Sequence, residues 1–183
     1  MYIDPDSGLI EEARQHSSPN CDARPDESDI SLIVIHGISL PPGEFGDNYI
    51  DQLFTNNLNS NEHPYFKEIE GLKVSSHFLV KRDGELVQYV PVHKRAWHAG
   101  VSSYKNRENC NDFSIGIELE GTDEIPYTNI QYEVLAETIK SLTQSYPNLT
   151  AEALAGHSDI APGRKTDPGI AFDWQRLHLL LAE

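Results

Sequence analysis

The sequence has few cysteines, no long apolar run and no recognisable export signal. Its two cysteines, Cys21 and Cys110, are too few for a disulfide framework and form no CxxC motif. No segment approaches the roughly 20 apolar residues that a membrane-spanning helix needs. The N-terminal segment MYIDPDSGLIEEARQ lacks the basic and apolar regions of a secretory signal. These absences predict a cytoplasmic protein with no membrane insertion.

Basic residues are also scarce. There are 14 Lys and Arg residues against 29 Asp and Glu residues, which gives a formal net charge of −15. A surface this negative repels phosphate backbones, so nucleic acid is excluded as an expected partner, and anionic membrane surfaces are disfavoured. The high charge and the absence of an obvious apolar patch predict a monomer.

The length and composition fit one folded domain. The chain has 183 residues, of which 38% are hydrophobic, as in ordinary globular proteins. Residues 1–29 contain the loop-type stretch HSSPNCDARPDESD, so we predict an irregular N-terminal arm that packs on or precedes the domain. The domain itself is predicted to span residues 30–183.

Apolar patterning predicts strands and helices of a mixed α/β domain. Dense apolar runs at ISLIVIH, NDFSIGIELEG and ALAGH are typical of strands in the interior of a sheet. The Asp-Gly pair in VSSHFLVKRDGELVQYV indicates a hairpin. Helical spacing is found in residues 47–58, 129–146 and 172–180. We therefore predict a central mixed β-sheet flanked by helices.

Side chains suited to metal binding and catalysis occur at or just after the apolar strands. His36 follows SLIVI, Glu118 lies within IGIELE, and His157 follows ALAG. The end of a strand is rigid, so a side chain there is held firmly while facing a cleft lined by loops. Asp167 follows His157 by ten residues, across a loop with Gly and Pro that allows its carboxylate to return to the same point.

Two imidazoles and one carboxylate, from His36, His157 and Asp167, match the ligand set of a catalytic zinc site with a fourth position open for water. Zinc-bound water has a pKa of about 7, so a hydroxide-like nucleophile is available at neutral pH. Glu118 is the candidate for moving the proton from this water to a leaving amine. Lys165 is the candidate for stabilising the oxyanion. This set predicts hydrolysis of an amide.

The residues alone leave alternatives open. A histidine at the end of a strand is more often a structural group than a metal ligand, and no short HExxH-type motif fixes the geometry here. The pattern does not choose between Glu118 and Glu120. Lys165 could equally be a solvated lysine of a loop, and His77 is expected to be a hydrogen-bonded histidine within a strand.

Five segments together resemble the N-acetylmuramoyl-L-alanine amidase 2 family in order and spacing. The resemblance covers about residues 30–180, and its most specific part is the last segment, which carries His157, Lys165 and Asp167. The segments are LIVIHGISLPPGEFG, VSSHFLVKRDGELVQYVP, RAWHAGVSSY, CNDFSIGIELEGTD and GHSDIAPGRKTDPG.

The resemblance implies an enzyme that cleaves the amide bond between (1,6-anhydro-)N-acetylmuramic acid and L-alanine in muropeptides, during peptidoglycan recycling. It implies one zinc ion per chain and the sheet-and-helix fold shared with peptidoglycan-recognition proteins. The resemblance assigns zinc binding to His36, His157 and Asp167, acid/base catalysis to Glu118, and stabilisation of the oxyanion to Lys165. It assigns substrate binding to Trp97, His98 and Arg107, and also to Lys73, where relatives tend to have arginine.

Two positions depart from the family pattern. Relatives are expected to carry Asn after the first metal histidine, where this chain has Gly37, and Lys73 replaces the bidentate fork of an arginine. Both changes concern substrate affinity. Two other functions remain: a periplasmic amidase acting on intact peptidoglycan, and a non-catalytic peptidoglycan-binding sensor. A sensor is expected to lack a metal ligand, whereas this chain has all three.

Overall fold

A six-stranded mixed sheet forms the centre of the fold in the computed structural model, which describes residues 1–150 and 152–183. In chain order, the strands are β1 (Ile3–Asp4), β2 (Leu9–Ile10), β3 (Arg14–Gln15), β4 (Cys21–Ala23), β5 (Leu32–Ile38), β6 (Phe78–Val80), β7 (Leu86–Gln88), β8 (Lys94–Ala96), β9 (Ser103–Tyr104), β10 (Arg107–Glu108), β11 (Ser114–Glu120) and β12 (Leu154–Gly156). The helices are α1 (Tyr49–Phe54), α2 (Pro64–Glu68), α3 (Asn129–Ser145), α4 (His157–Ile160) and α5 (Trp174–Ala182), with a 3₁₀ turn at Cys110–Asp112.

The strand order of the central sheet is β12-β5-β11-β6-β7-β3. All neighbouring strands run parallel except β6 and β7, which pair antiparallel. The remaining strands form three small antiparallel pairs, β1 with β2, β4 with β8, and β9 with β10. This arrangement confirms the predicted mixed α/β fold.

The two longest strands, β5 and β11, lie side by side and are buried on both faces, as their continuous apolar sequences predict. Ile33, Ile35, Ile115 and Ile117 face a core shared with α3 and α5. The opposite face of β5 packs against a second group, which consists of Ala99, Cys110, Phe113, Ala155 and Ile160. Burial on both faces makes this pair of strands a rigid base for the side chains at its end.

The hairpin and the long helix form where the sequence predicts them. The turn between β6 and β7 contains Gly84 at a φ of 90°, a conformation that glycine adopts without strain. Helix α3 begins at Asn129, where the Thr128 hydroxyl and the Gln131 side chain form a capping box. The Thr128 hydroxyl also donates to the carbonyl of Arg82, which ties the start of the helix to the hairpin.

The first 29 residues are more regular than their composition predicts, because they contain the four short strands β1–β4. Strand β3 joins the edge of the central sheet beside β7. The buried side chain of Gln88 accepts from the backbone N–H of Ile10 and donates to the carbonyl of Gly8. Ile3 and Ile10 belong to the same core as α3. A domain boundary at residue 30 stays a prediction.

Within residues 1–150 and 152–183, the structure contains no helix with both the length and the apolarity needed to cross a membrane.

Candidate active site

A cleft of about 760 Å³ opens at the carboxyl ends of β5, β11 and β12. Ligands bind at this edge of open α/β sheets because the loops that follow parallel strands meet there. The lining of the cleft includes the five side chains that the sequence singles out for metal binding and catalysis: His36, Glu118, His157, Lys165 and Asp167. Part of its wall is apolar and comes from Ile38, Leu40, Leu53, Tyr65, Ile69 and Val74.

The pairing of β5 with β11 brings His36 and Glu118 together. The two residues are direct partners in the parallel register, so their side chains share one face of the sheet. The Nδ1 atom of His36 lies 3.9 Å from a carboxylate oxygen of Glu118. Glu120 also points to this face, but its two oxygens accept from the backbone N–H groups of Gly46 and Arg82. Glu118 is therefore the glutamate of this strand that lines the cleft.

His157 and Asp167 meet because the loop between them folds back. His157 is the first residue of α4, immediately after β12. The backbone N–H of Ser158 donates to the backbone carbonyl of Asp167, and this hydrogen bond of 2.9 Å closes the loop. As a result the Oδ2 atom of Asp167 lies 3.1 Å from the Nδ1 atom of His157.

The donor atoms of His36, His157 and Asp167 converge on one point. Nδ1 of His36 lies 2.9 Å from Nδ1 of His157 and 3.3 Å from Oδ2 of Asp167. Two ligands of one tetrahedral zinc ion, each about 2.0–2.1 Å from the metal, lie about 3.3 Å apart. The three atoms thus have the chemistry and the spacing of zinc ligands, and they form a group able to hold a metal ion.

Burial and hydrogen bonding set the protonation states of His36 and Asp167. Burial lowers the pKa of His36 to about 4, so its imidazole is neutral at pH 7. Burial opposes ionisation of Asp167, but hydrogen bonds from His157 and His36 outweigh it and lower the pKa of this carboxyl below its usual range. Neutral imidazole and ionised carboxylate are the forms that bind a metal.

Glu118 lies in a much less polar environment. Burial, followed by the nearby charge of Asp167, raises its pKa well above the usual range, while the charge of Lys165 acts in the opposite direction. Among the described residues, no group hydrogen-bonds its Oε2 atom. A carboxyl group in such surroundings is suited to exchange protons near neutral pH, as general acids and bases do.

Lys165 is exposed and lies on the loop that leads to Asp167. Its backbone N–H donates to the backbone carbonyl of Ala161, and this hydrogen bond of 3.0 Å holds the start of the loop segment in place. The side chain lines the cleft, and its positive charge acts on both His36 and Glu118.

The predicted substrate-binding residues are more scattered. Trp97 lines a separate pocket with Asp22 and Arg95, and Lys73 lines a third, mainly apolar cavity. The guanidinium of Arg107 pairs with Asp29 and lies 3.8 Å over the ring of Phe113. Of the four residues, His98 alone lines the large cleft, among the parts of the chain that the structure describes. Substrate contacts of all four stay predictions.

Arg164 was not singled out by the sequence, although it lines the cleft. Its guanidinium donates to the backbone carbonyls of Ala99 and Val101, each 2.6 Å away, and so joins the loop after α4 to the loop after β8. Arg164 directly precedes Lys165, but only the folded structure shows that its partners are carbonyls of a distant loop.

A comparison with protein-family models matches residues 26–170 to the family described as N-acetylmuramoyl-L-alanine amidase. The chain belongs to the N-acetylmuramoyl-L-alanine amidase family. It is therefore a hydrolase that acts on an amide bond, and the resemblance read from the five sequence segments is confirmed.

Relatives of this amidase match over nearly the whole chain. The 1,6-anhydro-N-acetylmuramyl-L-alanine amidase AmpD of Salmonella typhimurium is 58% identical over 97% of this chain and 95% of its own length. A crystal structure of a selenomethionine derivative of AmpD has a TM-score of 0.95 at 57% identity and covers 99% of both chains. The Escherichia coli amidase AmiD, solved with the substrate anhydro-N-acetylmuramic acid-L-Ala-D-gamma-Glu-L-Lys, has a TM-score of 0.60 at 29% identity and is matched over 87% of this chain and 60% of its own.

Proposed function

We propose that this amidase hydrolyses the amide bond between the lactyl group of (1,6-anhydro-)N-acetylmuramic acid and L-alanine in muropeptides, as part of peptidoglycan recycling. One zinc ion per chain serves the reaction. The observation that carries the proposal is the convergence of the donor atoms of His36, His157 and Asp167 beside Glu118, in the large cleft of a member of this family. The names and substrates of AmpD and AmiD support the choice of muropeptide.

His36, His157 and Asp167 would hold the zinc ion through Nδ1, Nδ1 and Oδ2. When bound, zinc polarises the amide carbonyl and lowers the pKa of water in the cleft towards about 7. Because the three protein ligands come from two strand ends and one closed loop, they are held in place before the metal arrives.

Glu118 moves the proton. Its carboxylate accepts a proton from the water that attacks the carbonyl carbon, and it donates that proton to the amide nitrogen of L-alanine. The carbon–nitrogen bond then breaks, which leaves a carboxylate on the lactyl group and a free amine on the peptide. The position of Glu118 opposite His36 in the sheet register places its carboxyl group next to the proposed ligands.

Lys165 stabilises the negative charge that develops on the carbonyl oxygen during the attack. Replacing it with Met keeps most of the length of the side chain and removes the ammonium. We expect Lys165→Met to lower kcat by about 10²- to 10³-fold, the range for loss of one oxyanion-stabilising group. Steady-state kinetics on a muropeptide measures the effect.

The matched control for this lysine is Lys140→Met. Lys140 lies on α3, which packs on the face of the sheet opposite to the one that carries His36 and Glu118. It is expected to leave kcat unchanged. Zinc content should be the same in both variants. Equal kcat values for Lys165→Met and the unmodified enzyme would remove Lys165 from the mechanism.

Mass spectrometry of products tests the proposed function directly. The zinc-loaded protein is incubated with anhydro-muramyl tripeptide and, separately, with intact sacculi, each with and without a chelator. We expect chelator-sensitive release of free tripeptide from the small fragment and no cleavage of sacculi. Cleavage of sacculi would indicate a cell-wall amidase instead, and binding without cleavage would indicate a sensor. The monomeric state and the cytoplasmic location stay predictions of the sequence.

A further inference from the structure

The second ring nitrogens of the two ligand histidines are bonded to neighbouring residues of one short segment. Nε2 of His36 lies 2.9 Å from Nδ1 of His98. Nε2 of His157 lies 3.1 Å from the backbone carbonyl oxygen of Ala99. One dipeptide thus contacts both metal-binding imidazoles on the sides that face away from the metal-binding atoms.

The direction of these hydrogen bonds follows from the chemistry of the ligands. A neutral imidazole that offers the lone pair of Nδ1 to a metal carries its proton on Nε2. His36 therefore donates to Nδ1 of His98, and His157 donates to the carbonyl of Ala99. His98 then carries its own proton on Nε2, which lies 3.2 Å from the hydroxyl oxygen of Ser114 and donates to it.

The packing around His98 fixes the position of its ring. The ring lies against Gly116 of β11, where a β-carbon would be only 2.5 Å from Cγ of His98. His98 is 9% exposed, and its ring packs edge to face against the rings of His36 and His77. A side chain at residue 116 would occupy the space of this ring, so the glycine is what lets His98 reach His36.

Asn111 holds the backbone of the same dipeptide. Its Oδ1 atom accepts from the N–H of His98 at 3.1 Å and from the N–H of Ala99 at 2.8 Å. Asn111 is itself held in place, because its backbone carbonyl accepts a hydrogen bond from the guanidinium of the largely buried Arg24. A continuous set of contacts therefore runs from Arg24 through Asn111 to the segment that orients both ligand histidines.

We propose that His98 and Asn111 are positioning residues of the zinc site: His98 fixes the tautomer and orientation of His36, and Asn111 holds the dipeptide that orients both histidines. This inference rests on the zinc site of the proposed function. It gives His98 a role through His36, in place of the substrate contact that the resemblance implies. Partners of this kind matter because they pre-orient a ligand and raise its basicity.

The test measures zinc affinity by competition with a chromophoric chelator, with no substrate present. His98→Leu removes the acceptor and is expected to weaken zinc binding by about 10- to 100-fold. His98→Asn places a carbonyl oxygen near the position of Nδ1 and is expected to recover most of the affinity. Asn111→Ala is expected to weaken binding in the same direction. Cobalt-substituted His98→Leu should also show an altered visible absorption spectrum, since the orientation of one ligand changes.

Tyr89→Phe is the matched control, because it removes a different, partly buried hydrogen bond, from Tyr89 to Asp51, outside the cleft. It is expected to lower the thermal midpoint of unfolding without changing zinc affinity. Unchanged zinc affinity in His98→Leu would overturn the proposal, as would equal losses in Tyr89→Phe or no recovery in His98→Asn. Failure of the unmodified protein to bind zinc would instead overturn the proposed function, so the two failures are distinguishable.

Discussion

Replacing Glu118 with Gln is expected to lower kcat by about 10²- to 10⁴-fold while the zinc content stays at one ion per chain. Gln keeps the size of the buried side chain but cannot accept a proton from water or return it to the leaving amine. Because Glu118 contributes no donor atom to the His36–His157–Asp167 group, the metal should remain bound. Steady-state kinetics on anhydro-muramyl tripeptide, together with metal analysis of the same sample, measures both quantities.

Glu120→Gln is the matched control for this experiment. The two glutamates lie two residues apart on β11, on the same face of the sheet, and both are buried. Glu120 accepts from backbone N–H groups of two loops, so its replacement is expected to lower stability and to leave kcat nearly unchanged. If Glu118→Gln retained the turnover of the unmodified enzyme, the acid/base role would have to pass to another group.

His157→Ala is expected to abolish stoichiometric zinc binding and to reduce hydrolysis to the uncatalysed background. The replacement leaves one imidazole and one carboxylate, whereas catalytic zinc sites use three protein ligands. It also removes the hydrogen bond from Nε2 of the ring to the carbonyl of Ala99. Metal analysis after dialysis and product release from the tripeptide substrate are the measurements.

A histidine outside the cleft provides the comparison for this loss. His178 lies on α5, where its side chain is exposed, so His178→Ala removes an imidazole without touching the site. This variant should keep full zinc content and full activity. A His157→Ala protein that retained one zinc ion per chain after dialysis would contradict the ligand assignment, even if its activity were low.

The long elements of the fold follow from the sequence because their patterns are strong. Strands β5 and β11 are continuous apolar runs, and helix α3 has apolar residues at helical spacing along its length, so each is recognisable alone. The short elements are not recognisable in this way. Helices α2 and α4 have five and four residues, less than two turns, and the two-residue strands of the arm have no measurable periodicity.

The candidate site is predictable in part for the same reason. His36 lies near the carboxyl end of β5 and His157 directly follows β12, so their meeting follows once these two strands are placed side by side in one sheet. The choice between Glu118 and Glu120 does not follow, because both point to one face and differ only in the loops that reach Glu120. The Gly- and Pro-containing loop allows the return of Asp167, but the contacts that fix it are visible only in the folded structure. They include the hydrogen bond from the backbone N–H of Ser158 to the carbonyl of Asp167 and the one from the Tyr127 hydroxyl to the carbonyl of Pro168.

The surroundings of the site are the least predictable part. The contact of His98 with His36 requires the space left by Gly116 on a neighbouring strand, a relation between residues far apart in sequence. Arg107 offers a cation that resemblance assigns to substrate, yet its charge is already paired with Asp29 in this structure. Sequence patterns give the type of each side chain, whereas its partner depends on tertiary packing.

The pairing of β3 with β7 has a consequence for how the protein behaves in a crowded solution. Without β3, strand β7 would be the outermost strand, and its free N–H and C=O groups would offer a template for strands of other molecules. Arg14 and Gln15 occupy that position, and the charge of Arg14 faces Asp51 and Glu85. The N-terminal residues therefore cover the edge of the sheet opposite β12, which disfavours edge-to-edge aggregation there.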